Sequence, residues 1–166
     1  MARLTTTFLI AASIVAVAGC AKKPPAEIPP PPGASGPVSG GDSAVVPGSR
    51  ADFERSVTSN TIHFDLDKYD INGEARATLD SQAAWLTKYP NVPISLEGHC
   101  DERGTREYNL ALGDRRANSA KNYLASRGVN PSRISTISYG KERPIALGSD
   151  EAAWAQNRRA VTIVLN

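Results

Sequence analysis

Residues 21–50 are rich in Pro, Gly and Ser and show no hydrophobic period, and this segment determines which part of the chain can fold. Because such a composition cannot bury enough apolar surface to form a core, we expect residues 20–50 to be a tether. Extended polyproline geometry would limit its reach to about 90 Å. The folded domain is therefore expected at residues 51–166, a length sufficient for an independent core.

The N-terminus has the pattern of an export signal. Arg3 supplies a positive charge, residues 4–18 are mostly apolar, and a Val-Ala-Gly run places small side chains just before Cys20. The apolar stretch is shorter than the roughly 20 residues that a transmembrane helix needs. We therefore interpret residues 1–19 as a signal peptide.

The Val-Ala-Gly-Cys run that ends at Cys20 resembles the lipobox of bacterial lipoproteins. That resemblance implies cleavage before Cys20 and attachment of acyl chains to it, and two or more such chains hold a protein stably on a membrane. Ala21 and Lys22 lack the aspartate that retains lipoproteins at the inner membrane. By analogy, we expect the protein at the outer membrane, facing the periplasm. Cys100 is the only other cysteine, so the fold cannot depend on an internal disulfide.

Periodicity predicts four strands and two long helices in the folded part. A helix is expected from an N-cap at Asn72 to Pro90, since apolar residues recur between them at helical spacing. A second helix is expected over residues 105–126, ended by Gly128. The β-prone runs are 61–64, 92–97, 134–139 and 161–165, and a helical turn or two is expected at 151–156. The order β-α-β-α-β-(α)-β predicts an α+β fold in which helices pack on one face of a mixed four-stranded sheet.

The second helix directs two polar side chains toward its apolar face. On a helical wheel, Asn109 and Arg116 lie in the middle of the stripe formed by Leu112 and its apolar neighbours. Because a buried unpaired guanidinium is strongly destabilising, we expect a carboxylate nearby, and Asp101 at the end of the preceding strand is the natural candidate. The residues leave two interpretations open: a permanent structural ion pair, or a site where a carboxylate and a guanidinium bind a zwitterionic ligand.

The remaining charged and aromatic residues favour no other class of site. From residue 51 onward, basic and acidic side chains are equal in number, so there is no basic stripe for nucleic acid. His99 and Cys100 are adjacent on a strand and point to opposite faces, so we expect neither a metal site nor a Cys-His nucleophile. Arg158 and Arg159 are expected to be one structural and one solvated charge. The aromatic side chains expected in the core are Trp85, Trp154, Tyr108 and Tyr123.

The motif N-x-x-L-[SG]-x-x-R-A occurs at Asn109, Leu112, Gly113, Arg116 and Ala117. Together with the preceding EGHCDERG it resembles the core motif of the OmpA-like peptidoglycan-binding domain family, and the similarity covers the whole folded part. The runs FDLDKYDI, SYGKERP, LG-x-DEAA and NRRAV are similar to the lipid-anchored members of that family, which act with the Tol proteins. Two departures from the family pattern are Cys100, where Thr is more usual, and Ala120, where a larger aliphatic residue is more usual.

The resemblance implies a ligand and a set of binding residues. In that family the ligand is the meso-diaminopimelate side chain of the peptidoglycan stem peptide, whose free end carries an ammonium and a carboxylate. Carried over to this sequence, Asp101 would receive the ammonium and Arg116 the carboxylate. The pocket would be completed by Leu66, Asp67, Asn109 and Leu112. No cofactor or metal is implied.

The expected function is non-catalytic attachment of the outer membrane to the cell wall. By the same resemblance, the partners are peptidoglycan, the outer membrane through acyl chains on Cys20, the Tol proteins TolA and TolB, and further envelope proteins. Roles in envelope integrity and in outer-membrane constriction at cell division are implied. The alternative is a periplasmic cell-wall hydrolase, which would need an acid-base pair or an activated nucleophile in reach of its substrate. A stator-type protein with the same wall-binding domain would begin with a membrane-spanning helix.

Overall fold

The structure, a computed structural model, describes residues 45–165. The predicted signal peptide (1–19), the predicted lipidation at Cys20 and the predicted tether up to residue 44 lie outside the described residues. The elements in chain order are α1 (Arg50–Ser56), β1 (Thr61–His63), α2 (Gly73–Lys88), β2 (Ile94–His99), α3 (Arg106–Ser126), a 3-10 turn (Pro131–Arg133), β3 (Ile134–Gly140), α4 (Glu151–Asn157) and β4 (Arg159–Val164). Between residues 45 and 165, no helix is both long and apolar enough to cross a membrane. Every strand and helix predicted from the periodicity is present, and α1 and the 3-10 turn are additional.

The four strands form one mixed sheet in the order β1-β4-β2-β3. β4 pairs antiparallel with both β1 and β2, whereas β2 and β3 are parallel. A parallel pair of strands needs a crossover connection, and α3 provides it by running back over the sheet between β2 and β3. The predicted α+β fold with a mixed four-stranded sheet is therefore confirmed.

Helices α2 and α3 pack on one face of the sheet and enclose the core. On β2, the side chains of Ile94 and Leu96 point to this face and are fully buried, as the alternation of a strand requires. Other core side chains come from α1, β1 and its following loop, both long helices and β4: Phe53, Ile62, Phe64, Leu79, Leu86, Ala117, Ala120, Leu124 and Val164. Burial of apolar surface, at roughly 25 cal/mol per Å², is thus the main source of stability for this layer.

Strand β2 and helix α3 approach each other closely at two glycines. Gly98 on β2 lies so near Gly113 on α3 that a Cβ at Gly98 would overlap the carbonyl oxygen of Gly113. A Cβ at Gly113 would in turn meet the hydroxyl of Ser138 on β3. This close approach sets the first two turns of α3 directly against the ends of β2 and β3.

The residues at the ends of α2 and α3 explain why these helices begin and end where the sequence predicted. Asn72 accepts a hydrogen bond of 2.8 Å from the main-chain N–H of Ala75 and begins α2. Thr105 accepts one of 3.2 Å from the N–H of Tyr108 and begins α3. Gly128 follows α3 with φ of 92°, a left-handed conformation that favours glycine. Local capping thus accounts for the agreement between sequence and structure at these ends.

Helix α1 was not predicted, because its seven residues are too few to show a helical period. The carboxylate of Asp52 accepts a hydrogen bond of 3.1 Å from the indole N–H of Trp85. Phe53 meets the same indole edge-on, with ring centroids 5.0 Å apart. Trp85 lies near the C-terminal end of α2, which leads into the start of β2. Helix α1 therefore packs at the end of the sheet opposite the one where β2 finishes at His99.

Some predictions about side-chain burial were wrong. Tyr108 was expected in the core but is 47% exposed, because the first turn of α3 borders a cleft. Trp154 is only partly buried. One of Arg158 and Arg159 was expected to be solvated, but both are buried. Main-chain carbonyl oxygens accept hydrogen bonds from both guanidinium groups, which is why burial is tolerated at each position.

His99 ends β2 and is 2% exposed. Neither ring nitrogen has a hydrogen-bond partner among residues 45–165, and the ring stacks against Tyr139 at 5.5 Å. Burial, reinforced by the positive charges of Arg159 and Arg143, lowers the pKa of His99 to about 4. The carboxylate of Glu97 lies 3.8 Å from Nε2, beyond hydrogen-bond distance. His99 is therefore neutral in the folded chain over a pH range in which an unfolded histidine, with a pKa near 6.5, takes up a proton.

We expect the folded state to lose about 2 kcal/mol of stability between about pH 7 and pH 5 through His99. In this window the unfolded chain gains a proton and the folded chain does not, so a lower pH favours unfolding. The variant His99→Phe keeps a ring beside Tyr139 and removes the titration, so its stability should depend less on pH. Urea denaturation at a series of pH values measures the difference. Parallel pH curves for the two proteins would contradict this prediction.

Candidate binding cleft

A cleft of about 310 Å³ opens at the end of the sheet where β2 and β3 finish. It lies between the loop after β1, the loop after β2 and the first three turns of α3. The structure brings together in it all six ligand residues predicted from the sequence: Leu66, Asp67, Asp101, Asn109, Leu112 and Arg116. The lining residues that were not predicted as ligand contacts are Cys100, Arg103, Gly104, Tyr108 and Arg158.

Asp101 is the buried carboxylate of the cleft, with 5% of its surface exposed. Its oxygens accept hydrogen bonds from the main-chain N–H of Arg103 at 3.1 Å and from the guanidinium of Arg103 at 3.2 and 2.6 Å. Arg158 donates a longer bond of 3.4 Å. Burial alone would raise the pKa of Asp101, but these hydrogen bonds and positive charges outweigh it and lower the pKa. Asp101 is therefore ionised at neutral pH.

Arg116 is fully buried, and main-chain carbonyl oxygens hold its guanidinium. Nε donates to the carbonyl of Lys68 at 2.9 Å. The two Nη atoms donate to the carbonyls of His99 at 2.8 Å and Asp65 at 3.1 Å. Burial lowers the pKa of Arg116, but an arginine stays charged throughout the physiological range. Three of its five N–H groups are used in this way, so at most two are left for a ligand.

The orientation predicted for Arg116 and Asn109 is confirmed, since both are buried on the inner side of α3. The expectation that a carboxylate compensates the guanidinium was wrong. In the described part of the chain, no carboxylate forms an ion pair with Arg116, and Asp101 pairs with Arg103 and Arg158. The permanent Asp101–Arg116 ion pair is thus not the arrangement that the structure shows. Carbonyl oxygens in the loop after β1 and at the end of β2 compensate the charge of Arg116. Sequence spacing cannot reveal such partners.

Asn109 and Cys100 hold the loop after β2 in place. Nδ2 of Asn109 donates to the carbonyls of Arg103 at 2.7 Å and Thr105 at 3.0 Å. The thiol of Cys100 donates to the carbonyl of Asn109 at 3.3 Å. Burial raises the pKa of Cys100 to about 11, so the thiol is protonated at neutral pH and is a poor nucleophile. Contact of Asn109 with a ligand remains a prediction.

The loop after β1 forms the outer wall of the cleft. Asp67 has φ of 55°, in the left-handed region that Asp tolerates better than most residues. Its carboxylate accepts a hydrogen bond of 3.3 Å from the hydroxyl of Tyr108. The half-exposed side chains of Leu66 and Tyr108 add apolar surface to a cleft that is otherwise charged. Such a wall suits the methylene part of a ligand whose polar groups lie deeper.

Arg103 and Arg158 supply charges that the sequence analysis did not assign to the site. The guanidinium of Arg103 stacks on the indole of Trp154, with its central carbon 3.9 Å from the ring centroid. Arg158 donates to Glu151 at 2.6 Å as well as to Asp101. The sequence contains a signal that could have placed Arg103 in the site. An Asp side chain often accepts a hydrogen bond from the main-chain N–H two residues later, and Asp101 stands two residues before Arg103. Arg158 is brought in only by the tertiary fold.

The cleft presents both signs of charge beside a partly apolar wall. Asp101 offers a carboxylate and Arg116 a guanidinium, and both line the same opening. A ligand with an ammonium and a carboxylate uses both groups, whereas a simple anion or cation uses one. Over residues 45–165, there is no group of three or more His, Cys, Asp or Glu side chains placed to hold a metal ion. The arrangement therefore fits an organic zwitterion.

The family model that matches this chain is that of the OmpA family, over residues 63–158. The chain therefore belongs to the OmpA family, and the matched range contains every residue that lines the cleft. A crystal structure of the peptidoglycan-associated lipoprotein from Burkholderia pseudomallei has a TM-score of 0.65 at 41% identity, covering 69% of this chain and 100% of that one. The C-terminal domain of Helicobacter pylori MotB has a TM-score of 0.60 at 25% identity, covering 64% and 84%.

Similar proteins define a narrower group within the family. The peptidoglycan-associated lipoprotein of Rhizobium meliloti (strain 1021) is 53% identical over 150 residues, which cover 90% of this chain and 82% of that protein. The one of Haemophilus influenzae is 40% identical over 161 residues, covering 97% and 98%. The group to which the chain belongs is thus that of the peptidoglycan-associated lipoproteins.

Proposed function

We propose that this protein binds peptidoglycan non-covalently and that its cleft holds the free end of the meso-diaminopimelate side chain of the stem peptide. That end carries one ammonium and one carboxylate. Asp101 receives the ammonium and Arg116 the carboxylate, with Asn109 and Leu112 beside them. The observation that carries the proposal is the presence of a buried carboxylate and a buried guanidinium in one cleft. The names of the similar lipoproteins support binding to peptidoglycan, the polymer that carries this stem peptide.

Leu66 and Asp67 belong to the proposed site as its outer wall. Leu66 is 50% exposed at the entrance, where it can cover the methylene chain of the ligand. The carboxylate of Asp67, which accepts a hydrogen bond from Tyr108, adds negative charge to this wall. Both residues are exposed to solvent, so a peptide still attached to a large polymer can reach them.

We further propose that acyl chains on Cys20 anchor the protein to the outer membrane and that residues 20–50 link the anchor to the domain at 51–166. The support is the lipobox in the sequence and the lipoprotein names of the relatives. In this arrangement the protein joins the outer membrane to the wall. By its sequence resemblance to lipid-anchored members, it also engages the Tol proteins, TolA and TolB, in envelope integrity and in constriction at division.

The state of Cys100 supports a binding role over the alternative of a cell-wall hydrolase. Its thiol is buried, is protonated at neutral pH and donates a hydrogen bond to the carbonyl of Asn109. The neighbouring His99 stacks on Tyr139 and does not line the cleft. A thiol nucleophile needs a base within hydrogen-bond reach, and this geometry does not supply one at Cys100.

We expect Asp101→Asn to weaken binding to isolated peptidoglycan sacculi at least about thirtyfold, since removal of one partner of a buried charge pair costs roughly 2 kcal/mol or more. Arg116→Lys should have a similar effect, because lysine cannot present the planar fork that binds a carboxylate. The matched controls are Asp114→Asn and Arg115→Lys, which change exposed residues on α3 outside the cleft. Sedimentation with sacculi measures the bound fraction.

Competition separates the ligand assignment from a general loss of affinity. Soluble meso-diaminopimelate should release the wild-type chain from sacculi, whereas 1,5-diaminopentane, which keeps both ammonium groups but has no carboxylate, should do so poorly. If Asp101→Asn sediments like Asp114→Asn, the cleft is not the binding site. If meso-diaminopimelate releases no more protein than 1,5-diaminopentane does, the diaminopimelate assignment is refuted.

A further inference from the structure

The carboxylate of Asp101 is fully occupied without any ligand. An ionised carboxylate offers about four lone-pair directions for hydrogen bonds. Arg103 fills three of them, with its main-chain N–H, its Nε and one Nη, and Arg158 fills the fourth. An incoming ammonium therefore finds no free acceptor on Asp101. One of the present donors must leave before the ammonium can bind.

Arg103 is the donor that can leave at the least cost. Its side chain is 34% exposed, whereas that of Arg158 is 7% exposed and also bonds Glu151 and the carbonyl of Phe64. Solvent can rehydrate the guanidinium of Arg103, but Arg158 would stay buried without a partner. The main-chain N–H of Arg103 can keep its bond while the guanidinium moves away.

In its present position, the Arg103 guanidinium already lies beside two groups that can hold it once it leaves Asp101. Its central carbon lies 3.9 Å from the ring centroid of Trp154, and Nη1 lies 4.0 Å from a carboxylate oxygen of Glu151. Trp154 is itself fixed by a hydrogen bond of 3.1 Å from its indole N–H to Glu102. Glu151 is 65% exposed and can accept a second cation. Arg103 can therefore turn from Asp101 to Glu151 while it remains stacked on the indole.

We propose that Arg103 occupies the cation-binding position of the cleft in the absence of ligand, and that the ammonium of the bound zwitterion displaces it from Asp101. The inference rests on the proposed function, because it takes Asp101 to be the acceptor of the ammonium. Arg103 thus acts as a built-in competitor. It lowers the affinity for any ligand whose cation must reach Asp101, and it does not compete with ligands that carry only carboxylates.

The test compares two ligands of equal chain length. Meso-diaminopimelate carries two ammonium and two carboxylate groups, and pimelate carries the carboxylates alone. Purified full-length chain is titrated with each ligand, and NMR chemical shifts give the dissociation constants. The variant Arg103→Gln removes the competing charge. Arg106→Gln is the matched control, because it removes a 62% exposed arginine that pairs with Glu142 and does not line the cleft.

We expect Arg103→Gln to bind meso-diaminopimelate about twofold to fivefold more tightly than wild type, the range for removal of one partly exposed ion pair. Pimelate should bind no more tightly, and Arg106→Gln should match wild type for both ligands. Unchanged or weaker binding of meso-diaminopimelate by Arg103→Gln would overturn the displacement. In that event, the proposed function would still hold if wild type binds meso-diaminopimelate and Asp101→Asn does not. If wild type does not bind meso-diaminopimelate, both the displacement of Arg103 and the proposed function are refuted.

Discussion

Replacement of Gly98 by alanine should reduce the free energy of unfolding by about 3 kcal/mol or more. The added methyl group would overlap the carbonyl oxygen of Gly113 in the main chain of α3. Neither a strand in the middle of a sheet nor the second turn of a long helix can move aside without losing other contacts. Urea denaturation followed by circular dichroism measures the loss.

Gly73→Ala is the matched control for that variant. Gly73 is the first residue of α2, and nothing lies within 4 Å of a Cβ placed there. The same change of one methyl group should therefore be neutral or slightly stabilising, because alanine restricts the unfolded chain. A Gly98→Ala protein with the urea midpoint of Gly73→Ala would show that β2 and α3 are not in close contact.

Replacement of Arg116 by methionine should reduce the free energy of unfolding by about 3 kcal/mol. Methionine fills a similar volume, so the effect comes from the lost hydrogen bonds and not from a cavity. The carbonyl oxygens of Asp65, Lys68 and His99 would each lose a donor. Replacing both partners of a buried polar contact with apolar groups can leave stability unchanged. Here only Arg116 is replaced, and the three carbonyl oxygens remain without that donor.

Arg115→Met tests whether position on the helix or loss of charge determines the effect. Arg115 is exposed on the same turn of α3, 5.8 Å from the ring of Tyr69. Its replacement by methionine should therefore lower the free energy of unfolding only slightly. Thermal unfolding of both variants gives the comparison. Equal melting temperatures for Arg116→Met and Arg115→Met would contradict the role assigned to the carbonyl contacts.

The long helix α3 shows how far local pattern reaches. Its cap at Thr105, its end before Gly128 and the inward direction of Asn109 and Arg116 all follow from residue spacing within one element. The partners of Arg116 do not follow from this spacing, because they are main-chain carbonyls of one loop and of the end of β2, 17 to 51 residues earlier in the chain. A carbonyl oxygen leaves no mark in a sequence, so a carboxylate was the only partner that spacing could suggest.

The misplaced aromatic and basic residues share a different cause. Tyr108 lies on the apolar side of the α3 wheel, but the sheet ends before the first turn of the helix, and the side chain lines a cleft. Arg159 begins β4 and is covered by the segment that precedes that strand, where the carbonyls of Arg143 and Asn157 accept its hydrogen bonds. The exposure of Tyr108 and the burial of Arg159 both depend on where one helix or strand ends relative to its neighbours. The hydrophobic period of a single element does not contain that information.

Helix α1 and the cleft lie at opposite ends of the sheet, since α1 packs beside Trp85 whereas the cleft opens beyond His99. A pulling force between a molecule held in the cleft and the residues that precede α1 therefore runs roughly along the strands. In that direction β2 and β4 are sheared against each other, so their main-chain hydrogen bonds must rupture together and not one by one. Lifetime under tension is set by the unfolding rate, and this layout suits a domain that carries mechanical load.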